Sequence, residues 1–215
     1  MAFGEVGTSL SKIKANSLNL AGTFGFTGTV SGLADETPLV LISTFTSDGS
    51  DTTASFTSGI DSTYKEYLFV FNDLHPETND AVFQFQGSTD GGSSYGVNIT
   101  SSAFRAYAND AGSSSGLNYE GSNDLAQSTN FQYLMEGIGS DAKEAGSGIL
   151  RLYNPSSTTF VKHFVCDTHF RQKSDATQRN QNAGYFNTTS AINAIQFKMS
   201  NGEIQSGTID LFGVV

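Results

Sequence analysis

Alternation at every second position, not helical spacing, organises the apolar residues of this chain. Between Leu18 and Val30 the large side chains fall on even positions, namely Leu18, Leu20, Phe24, Phe26 and Val30, with Gly22 and Gly28 in the even places between them. Strict alternation marks a half-buried strand. A lone strand cannot bury one face by itself and must lie on other elements. Residues 1–33 therefore read as an anchoring or intertwining arm, with the first strand of the following domain as the alternative reading; residues 34–215 form the main domain.

From Leu39 onward strand signals recur, separated by turn clusters. Leu39–Ser47 is apolar and runs into Ser47-Asp48-Gly49-Ser50-Asp51, a turn sequence. Tyr67, Phe69 and Phe71 share one face of the next strand while Leu68 and Val70 share the other, which predicts a central strand covered on both sides. Further strands are predicted at Ala81–Gln86, around Tyr95, Val97 and Ile99, and at Phe131–Ile138, Gly148–Tyr153, Phe160–His169, Ala194–Met199 and Glu203–Phe212. Ser200-Asn201-Gly202 lies between the last two, where Asn-Gly predicts a tight hairpin. The Gly- and Ser-rich stretch Asn109–Thr129 reads as the longest loop. About eleven strands at this spacing, with no three-turn helix and no fixed repeat, predict an all-β fold: an antiparallel β-sandwich, jelly-roll-like, with an extended N-terminal arm.

Composition narrows the class. With 23 Gly, 17 Phe, 8 Tyr and only 15% charged residues, the 215-residue chain has the vocabulary of short strands and polar turns. A chain of this size buries roughly 70% of its unfolded surface and needs no disulfide or metal for stability, and its single cysteine, Cys166, cannot form an internal bridge. The balance of 21 acidic against 11 basic residues, net −10, argues against nucleic acid as a partner, because phosphate binding requires clustered Lys and Arg. No apolar run approaches the ~20 residues of a membrane helix, so no membrane insertion is expected, and the N-terminus does not read as a signal peptide.

Candidate chemistry is sparse. Ser88-Thr89-Asp90-Gly91-Gly92-Ser93-Ser94-Tyr95 resembles an Asp-box, in which Ser88, Asp90, Gly92 and Tyr95 staple a turn: the carboxylate accepts backbone N–H groups, the glycines permit positive φ, and the ring packs beneath. That role is structural. His163, Asp167 and His169 share one face of a strand, too few ligands for a closed metal site. Cys166 and His163 point to opposite faces, and Cys166 is expected to pack with Phe160 and Phe164. Asp73, Glu77 and Asp80 sit near one strand end and read as a polar connection. Gly112-Ser113-Ser114-Ser115-Gly116 lacks the strand-turn-helix setting of a nucleophile elbow. No catalytic residue, metal site or cofactor is expected.

Three stretches, Ala54–Tyr95, Asn154–Phe164 (NPSSTTFVKHF) and Ser206–Val214 (SGTIDLFGV), resemble virion structural proteins of tailed bacteriophages, particularly those of marine cyanobacterial phages. The arm is similar to segments that precede globular heads in phage fibre proteins. This resemblance implies a non-enzymatic protein of the virion surface, on the tail or the capsid exterior. It implies a homo-oligomer, with a trimer favoured, attached to other virion proteins through the arm. As a tail-fibre-type appendage the protein would contact host surface glycans, with Tyr107, Asn118 and Tyr119 in and near the long loop as the contact residues, since aromatic rings stack on sugars. The alternative is a capsid decoration protein that cements the shell, and a glycan-cleaving enzyme is the remote third reading.

Overall fold

The computed structural model describes residues 38–215. The chain divides into Met1–Glu36 and Thr37–Val215, and everything below concerns the second unit. Leu18, Leu20, Phe24, Phe26 and Val30 of the expected arm lie outside the described residues.

The described residues are all-β, with no helix and twelve strands: β1 (Leu39–Thr46), β2 (Ala54–Phe56), β3 (Glu66–Pro76), β4 (Ala81–Ser88), β5 (Ile99–Asn109), β6 (Ser115–Tyr119), β7 (Gln132–Ile138), β8 (Gly146–Tyr153), β9 (Lys162–Gln172), β10 (Ala176–Phe186), β11 (Ala194–Met199) and β12 (Ile204–Val214). All the pairings are antiparallel. One layer of a jelly-roll-like sandwich runs β1-β12-β3-β8-β9-β10-β5-β6 and the other β7-β4-β11-β2. The layers join at one corner through the single pair Ile138↔Gln172, so the sheet curls into a nearly closed barrel.

The alternation seen in the sequence fills the space between the layers. Phe69 and Phe71 from β3, Phe83 and Phe85 from β4, Phe56 from β2 and Phe197 from β11 are all at most 5% exposed. The Phe197 ring lies 5.2 Å from Phe69, 5.3 Å from Phe71, 5.6 Å from Phe83, and 6.1 Å from both Phe56 and Phe85. Edge-to-face and offset contacts at these separations add to the burial of each ring.

The Asn201-Gly202 turn departs from expectation. It does not close a hairpin: β11 pairs with β4 and β2, whereas β12 pairs with β1 and β3. The turn carries the chain from one layer to the other, as do the connections from β3 to β4 and from β7 to β8. Asn-Gly supplies a tight reversal in either setting, and Gly202 has φ +67°, but the buried faces of the flanking strands decide whether they pair or diverge.

Other elements also differ from the sequence pattern. Strand β9 begins at Lys162, which leaves Phe160 in the preceding loop at 69% exposure, so Phe160 does not share the Cys166 face. Cys166 itself is buried beside Phe164. The stretch Asn109–Thr129 is not one long loop but contains β6, paired with β5 from Phe104↔Tyr119 to Ala108↔Ser115. Strand β10 carries no apolar alternation because its inward side chains are amides: Gln178, Asn180 and Asn182 are 1%, 3% and 3% exposed. Gln178 and Asn180 belong to a polar ladder in which Gln172 Nε2 donates to Gln178 Oε1 (2.6 Å), Gln178 Nε2 to Asn180 Oδ1 (2.7 Å), and Asn180 Nδ2 and Thr168 Oγ1 both to the Leu134 carbonyl (3.2 and 2.8 Å), whereas the buried Asn182 Oδ1 has no hydrogen-bond partner among the described residues. Buried amides held in this way cost little, because each removed water bond is replaced.

Lys162 is the one inward-facing cation of β9. Its aliphatic stem is buried and its ammonium donates to the Thr188 carbonyl at 3.0 Å. Loss of water around the charge pushes its pKa down.

Two outcomes are expected. Phe197→Ala removes the ring shared by five neighbours and lowers the unfolding free energy by about 3–5 kcal/mol, read from denaturant titration. Lys162→Met raises the melting temperature at neutral pH, because the depressed lysine is a burden on the folded state below its folded pKa. That burden is relieved as pH rises toward the unfolded lysine value, so the two proteins converge in alkaline solution.

Candidate binding surface

Strands β5 and β6 form the end of the larger layer, and the register fixes which side chains share a face. Arg105 and Tyr107 of β5 stand opposite Asn118 and Gly116 of β6 on the inner side, whereas Phe104 and Ala106 stand opposite Tyr119 and Leu117 on the outer side. The three sequence-predicted contact residues are therefore split. Tyr107 and Asn118 belong to a concave polar face and Tyr119 to a convex apolar one, and all three sit on strands.

On the concave side a cleft of about 340 Å³ is lined by Arg105, Tyr107, Asn109, Gln172 and Gln178. The Arg105 guanidinium lies 5.3 Å from the centre of the Tyr107 ring and pairs with Glu120 at 2.7 Å. Tyr107 leans over Gly116, where an added Cβ would come within 3.0 Å of the ring. The glycine gives the ring its place, and the ring and guanidinium form a flat amphipathic wall.

On the convex side Phe104, Leu117, Tyr119 and Val165 are 43%, 71%, 61% and 45% exposed. Val165 lies opposite Ala183 of β10, and Ala183 opposite Ser102 of β5; Phe104, Val165 and Ala183 line one shallow depression together with Asp167 and Gln181. The Tyr119 hydroxyl donates to Asp124 at 2.5 Å, which fixes the ring and raises its pKa because the neighbouring carboxylate disfavours the phenolate.

A larger concavity of about 460 Å³ lies over the outer face of the smaller layer, lined by Gln84, Asn123, Asn130, Phe131, Tyr133 and Lys198 among others. Gln84, Tyr133 and Lys198 form one cross-strand row, and the Lys198 ammonium sits 4.1 Å from the centre of the Phe131 ring. The crossing segment is held by the buried Gln86, whose amide donates to the carbonyls of Val97, Thr129 and Asn130 at 3.0–3.1 Å. None of the lining side chains is a carboxylate. Asn123 donates to Glu136 at 2.8 Å. Nothing in the hydrophobic alternation marks this cleft; the closest sequence signal is the run of amides and aromatics from Asn123 to Tyr133.

Several other ionisable residues are engaged in structure. Asp167 accepts both ends of the Arg179 guanidinium, which holds its carboxyl below the usual range. His169 Nε2 lies 2.7 Å from Thr177 Oγ1, and the His163 ring packs edge-on against Tyr185. Burial pushes the Cys166 thiol well up, the opposite of an activated nucleophile. Glu77 accepts the Glu203 N–H at 3.2 Å and Asp80 pairs with Lys173. Among the described residues no group of three or more His, Cys, Asp or Glu side chains could hold a metal ion.

The Asp-box residues form a closed turn. Ser88 Oγ donates to Asp90 (2.6 Å) and accepts the N–H groups of Asp90 and Gly92 (3.1 and 3.0 Å). Asp90 also accepts the Ser94 N–H (2.9 Å) and hydroxyl (2.6 Å). Gly92 has φ +89°, and a Cβ there would lie 2.8 Å from the Tyr95 hydroxyl. The hydroxyls of Ser88 and Ser94 and the Ser94 amide pull the Asp90 pKa down to about 2.

No protein-family profile matches the chain, and neither a curated protein nor a solved structure matches it.

The turn generates a pH signature. The contribution of Asp90 is fully present above the unfolded carboxyl value and is lost as pH falls from about 4 toward about 2. Asp90→Asn is expected to melt lower than the parent at pH 7, with the difference shrinking at pH 2, as followed by calorimetry across the acid range.

Proposed function

We propose that this chain is a non-enzymatic surface protein of a tailed-bacteriophage virion, working as a tail-fibre-type module that binds the host surface. The observation that supports this reading is the β5–β6 hairpin. It presents an Arg–Tyr wall on one face and an apolar aromatic patch on the other, both carried on a sandwich with an aromatic interior. Such a hairpin is a rigid platform, which keeps the ordering cost of binding small. Sugars offer apolar C–H faces flanked by hydroxyls, and the Tyr107 and Arg105 wall with Asn118 beside it offers the complement: a ring to stack on and donors at its rim.

A second reading, a capsid decoration protein, is favoured by one observation: the apolar patch formed by Phe104, Leu117, Tyr119 and Val165 is suited to contacts between neighbouring subunits on a lattice. Copy number separates the two, since decoration follows the stoichiometry of the shell and a fibre that of the tail. A glycan-cleaving enzyme would need paired carboxylates flanking a cleft, and neither cleft described above has such a pair among its lining residues.

The proposal predicts that purified virions contain this chain and that the isolated protein binds intact host cells. Tyr107→Ala reduces cell binding by about tenfold or more, as loss of an aromatic anchor does, while leaving the melting temperature close to that of the parent. Retention of full binding by this variant, or absence of the chain from purified particles, contradicts the reading.

A further inference from the structure

We infer that β6 is the self-association edge of this protein, and that a second copy pairs with it antiparallel about a two-fold axis through Leu117. The hydrogen-bond parity of the hairpin carries the inference. Glu120 N donates to Ala103 O and Asn109 N to Ser114 O, both at 2.9 Å. In an antiparallel ladder, bonded and non-bonded pairs alternate. The residues of β6 bonded to β5 are therefore Gly116 and Asn118, and the backbone N–H and C=O groups of Ser115, Leu117 and Tyr119 point away from β5. Among the described residues β6 pairs with β5 alone.

The strand lacks the devices that protect edges. Natural edge strands carry Lys, Pro or a bulge, or are very short. Strand β6 reads Ser-Gly-Leu-Asn-Tyr, without charge or proline, and its register with β5 has no shift. The other three edges are different: β1 carries a register shift between Leu41 and Ser43, β2 has only three residues, and β7 is joined to β9 at Ile138 and has its Leu134 carbonyl covered by Thr168 and Asn180.

The occupant follows from symmetry and charge. The outward-bonding residues are centred on Leu117, the midpoint of the strand. A second copy rotated about that point places Leu117 opposite its own mate and Ser115 opposite Tyr119, so all three outward-bonding positions meet outward-bonding positions. About six backbone hydrogen bonds form, two in each pair. The net charge of −10 would oppose indiscriminate self-association. No charge lies on β6, however, and Glu120 next to it is neutralised by Arg105, so the pairing sets no like charges opposite each other. On the convex face the patches of the two copies join through Leu117. Edge-to-edge pairing sets the exposed parts of Phe104, Leu117 and Tyr119 of the two copies side by side on one face and covers only part of them, so the buried area falls short of the ~1,000 Å² of a stable complex. The contact is therefore weak and reversible in dilute solution, and becomes populated where copies are held close together. It is independent of any virion role.

Single-cysteine substitutions in the full chain test this, with the buried Cys166 left in place. Two Leu117 Cα atoms in a hydrogen-bonded antiparallel pair lie about 5.5 Å apart, within disulfide reach. Two Ser115 Cα atoms are separated by four residues of register, about 13 Å. Under mild oxidation at high protein concentration Leu117→Cys is expected to form a covalent dimer on a non-reducing gel, while Ser115→Cys stays monomeric. In sedimentation the parent shows a concentration-dependent dimer that Leu117→Lys abolishes; Leu117 is 71% exposed, so this variant folds. Equal crosslinking at both positions, a trimer in place of a dimer, or a parent that stays monomeric at every concentration would overturn the inference.

Discussion

Phe197 sits where the two layers converge, and its ring is the constraint on which the arrangement of the sheet depends. It comes from β11 of the smaller layer and meets Phe69 and Phe71 from β3 of the larger one, together with Phe83 and Phe85 from β4 beside it and Phe56 from the edge strand β2. An aromatic contact is satisfied only at a particular separation and tilt. Two of these five contacts, to Phe69 and Phe71, cross between the layers and leave them little freedom to slide. The turns that cross between layers, at the ends of β3, β7 and β11, follow from this: each flanking strand is committed to its own layer by the face it buries.

The two layers are unequal, and that inequality creates the candidate surface. Eight strands on one side face four on the other. From β5 and β10 the aromatic core takes only Ile99 and Phe186, at one end of each strand. Farther along, the interior passes to the amide ladder of Gln172, Gln178 and Asn180, and then to Arg105 and Tyr107 at the rim of an open cleft. The chain thus grades from an aromatic clamp through a hydrogen-bonded polar section to an exposed hairpin. Polar ladders of this kind order a region without consuming apolar area, because their specificity lies in geometry.

The legibility of the fold in the sequence follows the same gradient. Where burial is apolar, alternation exposes it: the pattern predicts β3, β4, β7, β8, β11 and β12 within a few residues. Where burial was polar, the sequence was silent. Strand β10, Ala-Thr-Gln-Arg-Asn-Gln-Asn-Ala-Gly-Tyr-Phe, has amides at its inward positions and resembles a loop by composition. The hairpin strand β6 lies inside a Gly- and Ser-rich stretch and buries almost nothing, so no alternation marks it. The Asn-Gly turn predicts a hairpin, because local chemistry cannot reveal that its two strands belong to different layers. Tyr107, Asn118 and Tyr119 stand out in the sequence as candidate sugar contacts in and near a long loop, and only the register of β5 with β6 separates them onto two faces. The cleft over Gln84 and Lys198 requires contacts distant in sequence.

The central claim is that an aromatic clamp holds a hairpin whose outer backbone edge has no partner among the described residues, and residue-resolved amide hydrogen exchange in dilute protein addresses it most directly. The account predicts three classes. Amides of β3, β4 and β11 around Phe197 exchange slowest, at the rate of global unfolding. Those of Gly116 and Asn118, bonded to β5, show intermediate protection. Those of Leu117 and Tyr119 exchange almost as fast as in an unfolded chain. Protection of Leu117 and Tyr119 equal to that of their bonded neighbours, or uniform exchange across the clamp and the hairpin alike, would contradict it.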